Sequence, residues 1–408
     1  MSATDVTDRV IGEDGSLAEY WVPARDARSE EMVVNMGPQH PATHGVLRVA
    51  VKTDGEVVLD CEPMIGNLHR CKEKIAENLQ YWQFMPYTDR LDYLAAINNE
   101  EVYARAVEKL CGIEIPERIQ YIRTIVAELG RVSSHVFSVG VYGLDIGAFT
   151  PFLYCYRERE RANSLFEKLT GGRMLYHYYR VGGVARDLSD EWIQECLEFL
   201  DIVEEKMEEY NALTTWNKVF RERTMGVGVL SREKALAYGI TGPALRASGV
   251  DWDVRRDEPY GLYDRFEWRV PVADGRHGTI GDCWNRHWIR AQELAESIKI
   301  VRQAIDKLPP RDPKLTPSSM YQPYVNPNVP RILRGPKDAE VYVRGENPRG
   351  ELAFYLVSDA KNAPYRCKIR GPAFSNIAVL PEISRGYLIA DLVAIIGSID
   401  IVLGEVDR

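Results

Sequence analysis

Apolar and polar residues alternate in two runs near the start of the chain. The first run is Val46–Lys52 and the second is Val57–Cys61, with Asp54-Gly55 between them. A period of two is typical of strands, and an Asp-Gly pair between two β-branched runs is a strong hairpin signal. The pattern therefore predicts an antiparallel strand pair close to the N-terminus.

A second strand region is predicted near the C-terminus. Glu340–Arg344 and Leu352–Ser358 read as a hairpin across a loop of residues 345–350, and a short strand follows at Arg366–Arg370. Between Pro309 and Pro330 the chain has seven prolines. Because proline interrupts regular structure, this stretch is expected to be an extended strap.

Long helices are predicted between these regions, because apolar residues recur there at three- and four-residue steps. The predicted helices are Leu68–Met85, Asn98–Leu110, one that starts at Pro116, one that follows Pro151, Ser189–Leu213, Trp288–Leu308 and a final one near Tyr387–Ile396. Residues 225–285 are rich in Gly, Arg and aromatic residues and are expected to form loops with short elements.

These elements predict an α+β fold that is mainly helical, a long-helix bundle with small antiparallel sheets near both ends. Residues 1–30 are expected to be an N-terminal arm and residues 31–408 one cooperative body. Within that body, 31–63 is the β segment, 64–308 the helical bundle, and 309–408 the proline-rich strap with a C-terminal α/β part.

Composition narrows the class of protein. The 408 residues are 45% hydrophobic and 27% charged, as in ordinary globular proteins, and the net charge of −9 argues against nucleic acid as a partner. No segment has the roughly 18 uninterrupted apolar residues of a membrane span. The polar, acidic start is unlike a signal or transit peptide. Seven cysteines without a Cys-x-x-Cys pair indicate a reducing compartment and no iron–sulfur cluster held by this chain alone.

Two histidines lie four residues apart in Asn35–Gly45. On a helix, His40 and His44 would share a face and suggest a metal site. Gly37-Pro38 and Pro41 disfavour a helix here, so we expect a rigid loop at a sheet edge. A lone histidine in such a loop is usually hydrogen-bonded and inert, whereas two in a loop fixed by Gly and Pro favour a functional role.

Residues 37–45, Gly-Pro-Gln-His-Pro-Ala-Thr-His-Gly, resemble the opening motif of the 49 kDa subunit family of respiratory complex I. Residues 69–74 are similar to the family pattern His-Arg-Gly-x-Glu-Lys, with Cys71 in the glycine position. Residues 86–93 match Pro-Tyr-x-Asp-Arg-Leu-Asp-Tyr, and further matches extend over nearly the whole chain after residue 31.

This family in turn resembles the large subunit of nickel–iron hydrogenases, which bind nickel with four thiolates. In the corresponding positions this chain has Asp92, Ala95, Val402 and Glu405. Because nickel in such a site needs soft sulfur ligands, the resemblance implies a hydrogenase-like fold whose former metal site is a cavity without a metal.

A quinone headgroup suits such a cavity, and its reduction consumes two electrons and two protons. The resemblance implies that His44 and Tyr93 bind and protonate quinone, that Asp145 pairs with His44, and that His40 and Val402 also contribute to the quinone site. A carboxylate beside a histidine raises the pKa of the histidine, which keeps it protonated before reduction.

The electrons are expected from a [4Fe-4S] cluster in a small partner subunit. By the resemblance, Arg70 and Arg90 lie near that cluster, where positive charge favours the reduced form. The family usually has histidine where this chain has Leu175. Quinone is then a substrate, and the chain itself binds no cofactor or metal. Other expected partners are the hydrophilic and membrane-arm subunits of complex I, at the cytoplasmic side of a bacterial inner membrane.

Three alternatives stay open from the sequence. The chain could be a structural scaffold that docks the cluster subunit to the membrane arm, or the same subunit in a ferredoxin-driven relative. A hydrogenase-like metalloenzyme is disfavoured by the missing thiolates. No Gly-x-Gly-x-x-Gly or Walker motif is present, so NADH is expected to bind elsewhere in the assembly.

Overall fold

The computed structural model describes residues 31–43, 45–311 and 323–408. In these residues the strands form three antiparallel sheets of three strands each. The strands are β1 (Glu31–Met36), β2 (Arg48–Asp54), β3 (Val57–Met64), β4 (Tyr179–Arg180), β5 (Gly183–Val184), β6 (Tyr324–Val325), β7 (Lys337–Asn347), β8 (Gly350–Asp359) and β9 (Arg366–Arg370).

Helices account for most of the regular structure. They are α1 (Lys72–Asn78), α2 (Tyr81–Thr88), α3 (Ala96–Cys111), α4 (Glu117–Asp145), α5 (Phe149–Thr170), α6 (Asp190–Leu213), α7 (Lys218–Thr224), α8 (Arg232–Ala237), α9 (Gly242–Ala247), α10 (Val254–Asp257), α11 (Cys283–Asp306), α12 (Pro372–Ala378), α13 (Leu380–Ser384), α14 (Ile389–Ile399) and α15 (Leu403–Asp407). The predicted mainly helical α+β class is therefore confirmed.

The N-terminal hairpin is confirmed, with β2 and β3 joined at Gly55, whose φ of +60° suits a tight turn. The sequence missed β1, which pairs antiparallel with β2 from Glu31↔Asp54 to Met36↔Val49. Most residues of β1 are exposed on both faces, so the strand lacks the alternation by which a half-buried strand is recognised.

The C-terminal sheet has a tighter turn than expected. The strands run to Asn347 and restart at Gly350, which pair with each other, so the predicted six-residue loop is wrong and only two residues connect β7 and β8. The expectation of sheets only near the two ends is also incomplete. A small sheet of β4, β5 and β6 lies between them, and β6 falls within the predicted strap. Residues 312–322 of the strap lie outside the described residues.

The long helices α3, α4, α6 and α11 confirm the predicted ones within a few residues, but two predictions need correction. The helix predicted over 68–85 is two helices, α1 and α2, because Leu79 and Gln80 adopt extended backbone between them. Helix α5 starts at Phe149, before Pro151, since the first turn of a helix tolerates a residue without an N–H group. The C-terminal helix is likewise followed by a second short one, α15.

Two hydrophobic clusters hold these elements together. The larger is built around α3, α4, α5 and α6 with strands β7 and β8. The smaller joins the N-terminal sheet to α13, α14 and the C-terminal residues. This second cluster matters for the site, because it holds the histidine loop and the last residues of the chain against the end of α4. Among the described residues, no helix is long and apolar enough to cross a membrane.

Candidate functional site

The histidine loop is a compact turn fastened by its own polar groups. The Thr43 hydroxyl donates to the carbonyl oxygens of His40 (2.8 Å) and Pro38 (3.1 Å), and the ring nitrogen Nδ1 of His40 accepts from the backbone N–H of Ala42 (3.2 Å). At Gly37 a Cβ atom would lie 2.3 Å from the carbonyl oxygen of Leu47, so only glycine fits. Residues Pro41–Thr43 form a 3-10 turn that packs against α14. His44 lies outside the described residues.

Tyr93 lies in the turn that connects α2 and α3, and its side chain is half-buried. Burial raises the pKa of its phenol, as does the negative charge of Asp92, while Arg349 opposes them. The turn itself is rigid. Asp92 accepts the backbone N–H of Leu94 (3.1 Å), and the Asn99 side chain donates to the Asp92 carbonyl (3.0 Å). The braced turn therefore holds a neutral phenol at Tyr93.

The C-terminal segment packs directly on this turn. A Cβ atom at Gly404 would lie 2.6 Å from the Leu91 carbonyl oxygen and 3.2 Å from the Tyr93 ring, so only glycine permits this close approach. The ammonium of Lys72, which is buried, donates to the carbonyl oxygens of Arg90 and Gly404 and so bridges the two segments. Two stretches more than 300 residues apart are therefore joined beside Tyr93.

Val402 and Glu405 lie on this C-terminal segment and are fully buried. Glu405 accepts the backbone N–H of Ala373 (3.0 Å), and its other carboxylate oxygen has no hydrogen-bond partner in the part of the chain that the structure describes. Burial and the nearby charge of Asp92 raise the pKa of Glu405 to about 8. Glu405 consequently holds a proton at neutral pH, which the sequence did not reveal.

Asp145 is the last residue of α4 and lies against α14. A Cβ atom at Gly397 would come within 2.5 Å of its carboxylate oxygen, so this glycine makes room for the acid. Burial is the main cause that raises the pKa of Asp145 to about 7, and the charge of Asp400 adds to it. Asp145 can therefore exchange a proton near neutral pH, which is the range a catalytic acid or base requires.

Arg349 connects the Tyr93 turn to the surroundings of Asp145. Its guanidinium is fully buried, donates to Asp92 (2.8 Å) and Ser134 (2.9 Å), and reaches the Asp400 carboxylate (3.2 Å). Arg290 lies on the other side of Asp400 at 3.4 Å. The positive charges of these two arginines thus compensate the negative charges of Asp92 and Asp400, between the Tyr93 turn and Asp145. The sequence pattern placed Arg349 only in a turn.

The predicted cluster-facing arginines, Arg70 and Arg90, are both exposed and flank Lys72. Cys71, the departure from the family glycine, keeps a left-handed backbone with φ of +54°. Leu175 is half-buried. The backbone N–H of His177, two residues later, donates to the Asp89 carboxylate (3.0 Å). Burial lowers the pKa of His177 to about 4, and Arg180 and Arg90 contribute to the same shift, so this histidine is neutral.

Tyr93 and Val402 are thus brought to one region, with Asp145 linked to it through Asp400 and Arg349, while His40 lies on the loop that packs on α14. Within residues 31–43, 45–311 and 323–408, no three His, Cys, Asp or Glu side chains are arranged to hold a metal ion. The arrangement places several protonatable side chains around the Tyr93 turn and the C-terminal end of α4.

Comparison with known proteins identifies the family of this chain, whose fold places an acid at the end of α4 and a tyrosine on a braced turn. The family described as respiratory-chain NADH dehydrogenase, 49 Kd subunit, matches residues 145–408. The chain belongs to this family, as its motifs predicted.

Relatives from Chlorobium and Chlorobaculum cover almost the whole chain. The D subunit of the NADH-quinone oxidoreductase of Chlorobium luteolum is 50% identical over 388 residues, 94% of this chain and 95% of the relative. The corresponding protein of Chlorobium chlorochromatii is 51% identical and that of Chlorobaculum tepidum 50% identical, each over 385 residues and 94% of both chains.

Proposed function

We propose that this chain is part of a proton-translocating NADH:quinone oxidoreductase and helps to bind and protonate quinone. The observation that supports this most strongly is the convergence of Tyr93, on its braced turn, with the C-terminal segment and the Arg349 bridge toward Asp145. Quinone reduction needs two protons, and a phenol and a carboxyl with a pKa near neutrality are suitable donors.

In this proposal Tyr93 and His44 contact the quinone, and Asp145 returns a proton to His44 after each reduction. His40 and Val402 shape the site from the loop and from the buried C-terminal segment. The names of the relatives, which state an NADH-quinone oxidoreductase, agree with this role.

Electrons would reach the quinone from a [4Fe-4S] cluster of a neighbouring small subunit. Arg70 and Arg90 are exposed and available to a partner surface, and the carbonyl oxygen of Arg90, three residues before Tyr93, accepts from Lys72. Positive charge there would favour the reduced cluster. We further propose attachment to the cytoplasmic side of a bacterial inner membrane through partner subunits.

A hydrogenase-like ancestry forms part of the proposal. The two segments that would correspond to the two nickel motifs, residues 90–95 and 400–408, pack on each other at Gly404. Asp92 and Glu405 occupy thiolate positions there and are both fully buried. In this proposal, a former metal site that has become a metal-free cluster of protonatable side chains accounts for these buried acids.

One substitution distinguishes the proposed quinone-site function from the competing function as a structural scaffold. Tyr93→Phe removes a single hydroxyl, and we expect the assembled complex to keep NADH oxidation by an artificial acceptor while quinone reduction falls at least about a hundredfold. Tyr87→Phe, on an exposed tyrosine of the adjacent α2, is the matched control. Unchanged quinone reduction in Tyr93→Phe would favour the scaffold.

A further inference from the structure

The loop of residues 65–71 joins β3 to α1 and carries Arg70, and we call it the arginine loop. Six of its seven residues are exposed, and only Leu68 packs against the smaller hydrophobic cluster. A surface cavity of about 390 Å³ adjoins the loop and is lined in part by His69 and Cys71. Because packing holds this loop at one residue only, its position depends mainly on hydrogen bonds.

Both carboxylate oxygens of Asp407 hold the arginine loop. Oδ1 accepts the backbone N–H of Gly66 (2.8 Å), and Oδ2 accepts that of Leu68 (2.6 Å). Asp407 is 8% exposed, so these hydrogen bonds are sheltered from solvent. Hydrogen bonds to an ionised acceptor are stronger than those between neutral groups. One side chain thus fixes the loop at two of its backbone positions.

Two further contacts come from the backbone beside this carboxylate. The Asp407 carbonyl oxygen lies 2.6 Å from Nδ1 of His69, and because a carbonyl only accepts, this ring nitrogen carries the proton. The Arg408 carbonyl oxygen accepts the backbone N–H of Arg70 (3.1 Å). Residues 407 and 408 therefore hold the arginine loop at four residues, and Arg70 is one of them.

The segment that makes these contacts is itself fixed at both sides. The Arg408 guanidinium donates to the Ile369 carbonyl oxygen in β9 (2.7 Å) and lies 4.8 Å from the ring centroid of Phe374. Earlier in the same segment, Gly404 packs on the turn that carries Tyr93. The segment therefore relates the position of the arginine loop to that of the Tyr93 turn.

The arginine loop also contacts the histidine loop. The side-chain amide of Asn67 donates to the Val46 carbonyl oxygen (2.8 Å), and the backbone N–H of Val46 donates to Thr43 (3.3 Å). The histidine loop, the Tyr93 turn and the C-terminal segment are thus all connected through residues 65–71 or through the segment that holds them.

We propose that Asp407 is a positioning residue for electron transfer to quinone, and that it acts by holding Arg70 at a fixed place relative to Tyr93. The inference rests on the proposed function, in which Arg70 faces the [4Fe-4S] cluster of the small partner subunit. A guanidinium held beside the cluster favours the reduced form. No bond forms or breaks at Asp407, whose contribution is the geometry of the loop.

Asp407→Asn tests the proposal in the assembled, membrane-bound complex. The amide has one oxygen in place of two, and its NH₂ group would face the second N–H donor of the loop. The measurement is the midpoint potential of the partner's cluster, obtained by redox titration with electron paramagnetic resonance. NADH oxidation by an artificial acceptor should be unchanged, because that reaction does not use the quinone site.

The sign of the shift separates positioning from a simple effect of charge. Removing the negative charge of Asp407 would by itself raise the potential, because the reduced cluster would meet less repulsion. Displacing Arg70 removes a positive charge from the surroundings of the cluster and lowers the potential. We expect the potential of Asp407→Asn to be lower than that of the native complex.

Arg70→Met is the second arm of the experiment. We expect it to lower the potential by itself. In the Arg70→Met background, Asp407→Asn should lower the potential no further, because both substitutions act through the same guanidinium.

Glu73→Gln is the matched control for charge. Glu73 also lines the cavity beside the arginine loop, but it accepts from Lys368 and from the backbone N–H of Ile369. This variant loses one negative charge while the contacts of Asp407 with the loop remain. Its potential should therefore not decrease.

His69→Ala removes one of the four contacts at an exposed position and should lower the potential by a smaller amount than Asp407→Asn. The proposal would be overturned by an unchanged or raised potential in Asp407→Asn, by an equal further decrease in the Arg70→Met background, or by failure of both Asp407→Asn and His69→Ala to assemble. A shift in Arg70→Met without one in Asp407→Asn would refute the positioning role alone. An unchanged potential in Arg70→Met would refute the placement of Arg70 beside the cluster, which belongs to the proposed function.

Discussion

Two helix pairs in this protein differ in how many polar contacts are buried between them. Helices α5 and α6 meet through apolar residues such as Phe166, Phe199 and Leu200, and the Trp192 indole completes the contact by donating to the Leu165 carbonyl (2.9 Å). Helices α4 and α11 share apolar core residues too, but they are also joined by buried polar side chains, Glu293 to His135 (2.9 Å) and Ser297 to Glu128 (2.7 Å). The first pair is held by burial of apolar area, with an ion pair between Lys168 and Glu195 at its exposed edge. The second is expensive to bury, which suggests that it is retained for chemistry.

The largest predicted effect removes the cation that α9 places against Glu293 of the polar pair. Arg246→Met leaves Glu293, Glu346 and Asp253 without their shared cation, and removing one partner of a buried ion pair costs roughly 3–5 kcal/mol. We expect little assembled complex and a markedly lower melting temperature. Adding Glu346→Gln should recover part of that loss, because one carboxylate fewer then needs compensation. Equal stability of the single and double variants would show that Glu346 needs no compensation by Arg246.

The apolar pair should respond with a somewhat smaller and simpler loss. Leu200→Ala removes buried methyl groups and is expected to cost about 3 kcal/mol. Because no titratable group is involved, the decrease in melting temperature should be the same at pH 6 and pH 8. A strongly pH-dependent difference would show that the contrast between the two helix pairs is wrong.

Asp145, the last residue of α4, gives a moderate effect with a defined sign. Its pKa is raised by burial from a usual value near 4 to about 7, so the folded protein binds the proton more tightly than the unfolded chain. The contribution of Asp145 to the free energy of unfolding is therefore most favourable near pH 4, and it declines as the pH rises to 7 and slightly beyond.

Asp145→Asn should remove this pH-dependent loss of stability. The loss amounts to about 1.4 kcal/mol for each unit by which folding raises the pKa of Asp145. The measurement is the melting temperature of the complex at pH 5.5 and pH 8, compared with the native protein, and quinone reduction should fall in parallel. An Asn variant that loses stability with pH as steeply as the native protein would show that Asp145 is ionised at neutral pH.

The smallest predicted effect is at Cys71, which belongs to neither of the two helix pairs. Its left-handed backbone is unfavourable for any residue with a Cβ atom, by roughly 1–2 kcal/mol. Cys71→Gly should therefore raise stability by about 1 kcal/mol, whereas Cys71→Ala, which keeps the Cβ, should not. The readout is again the melting temperature, and equal values for the two variants would refute a backbone origin.

The contrast between the helix pairs also shows what the sequence could reveal. The apolar rows on α4, such as Ile119, Ile122 and Val126, predicted the helix correctly because periodic burial leaves a periodic pattern. Motif matches identified the family and the turn that carries Tyr93. Both kinds of signal are local in sequence.

The polar face of α4 was missed although its spacing is just as regular. Polar residues on one face of a helix ordinarily face solvent, and only the tertiary structure shows Glu128 and His135 to be buried against α11. The raised pKa of Glu405 and the bridge formed by Arg349 likewise depend on residues distant in the chain, which no local pattern brings together.

The central claim is that quinone is bound and protonated at this chain, and photoaffinity labelling of the membrane-bound complex tests it most directly. A quinone carrying a photoreactive group on its ring would be illuminated in the complex, with and without excess ordinary quinone. We predict that labelled peptides suppressed by competition include residues 90–93 or 400–405. Competable label confined to other subunits would contradict the account.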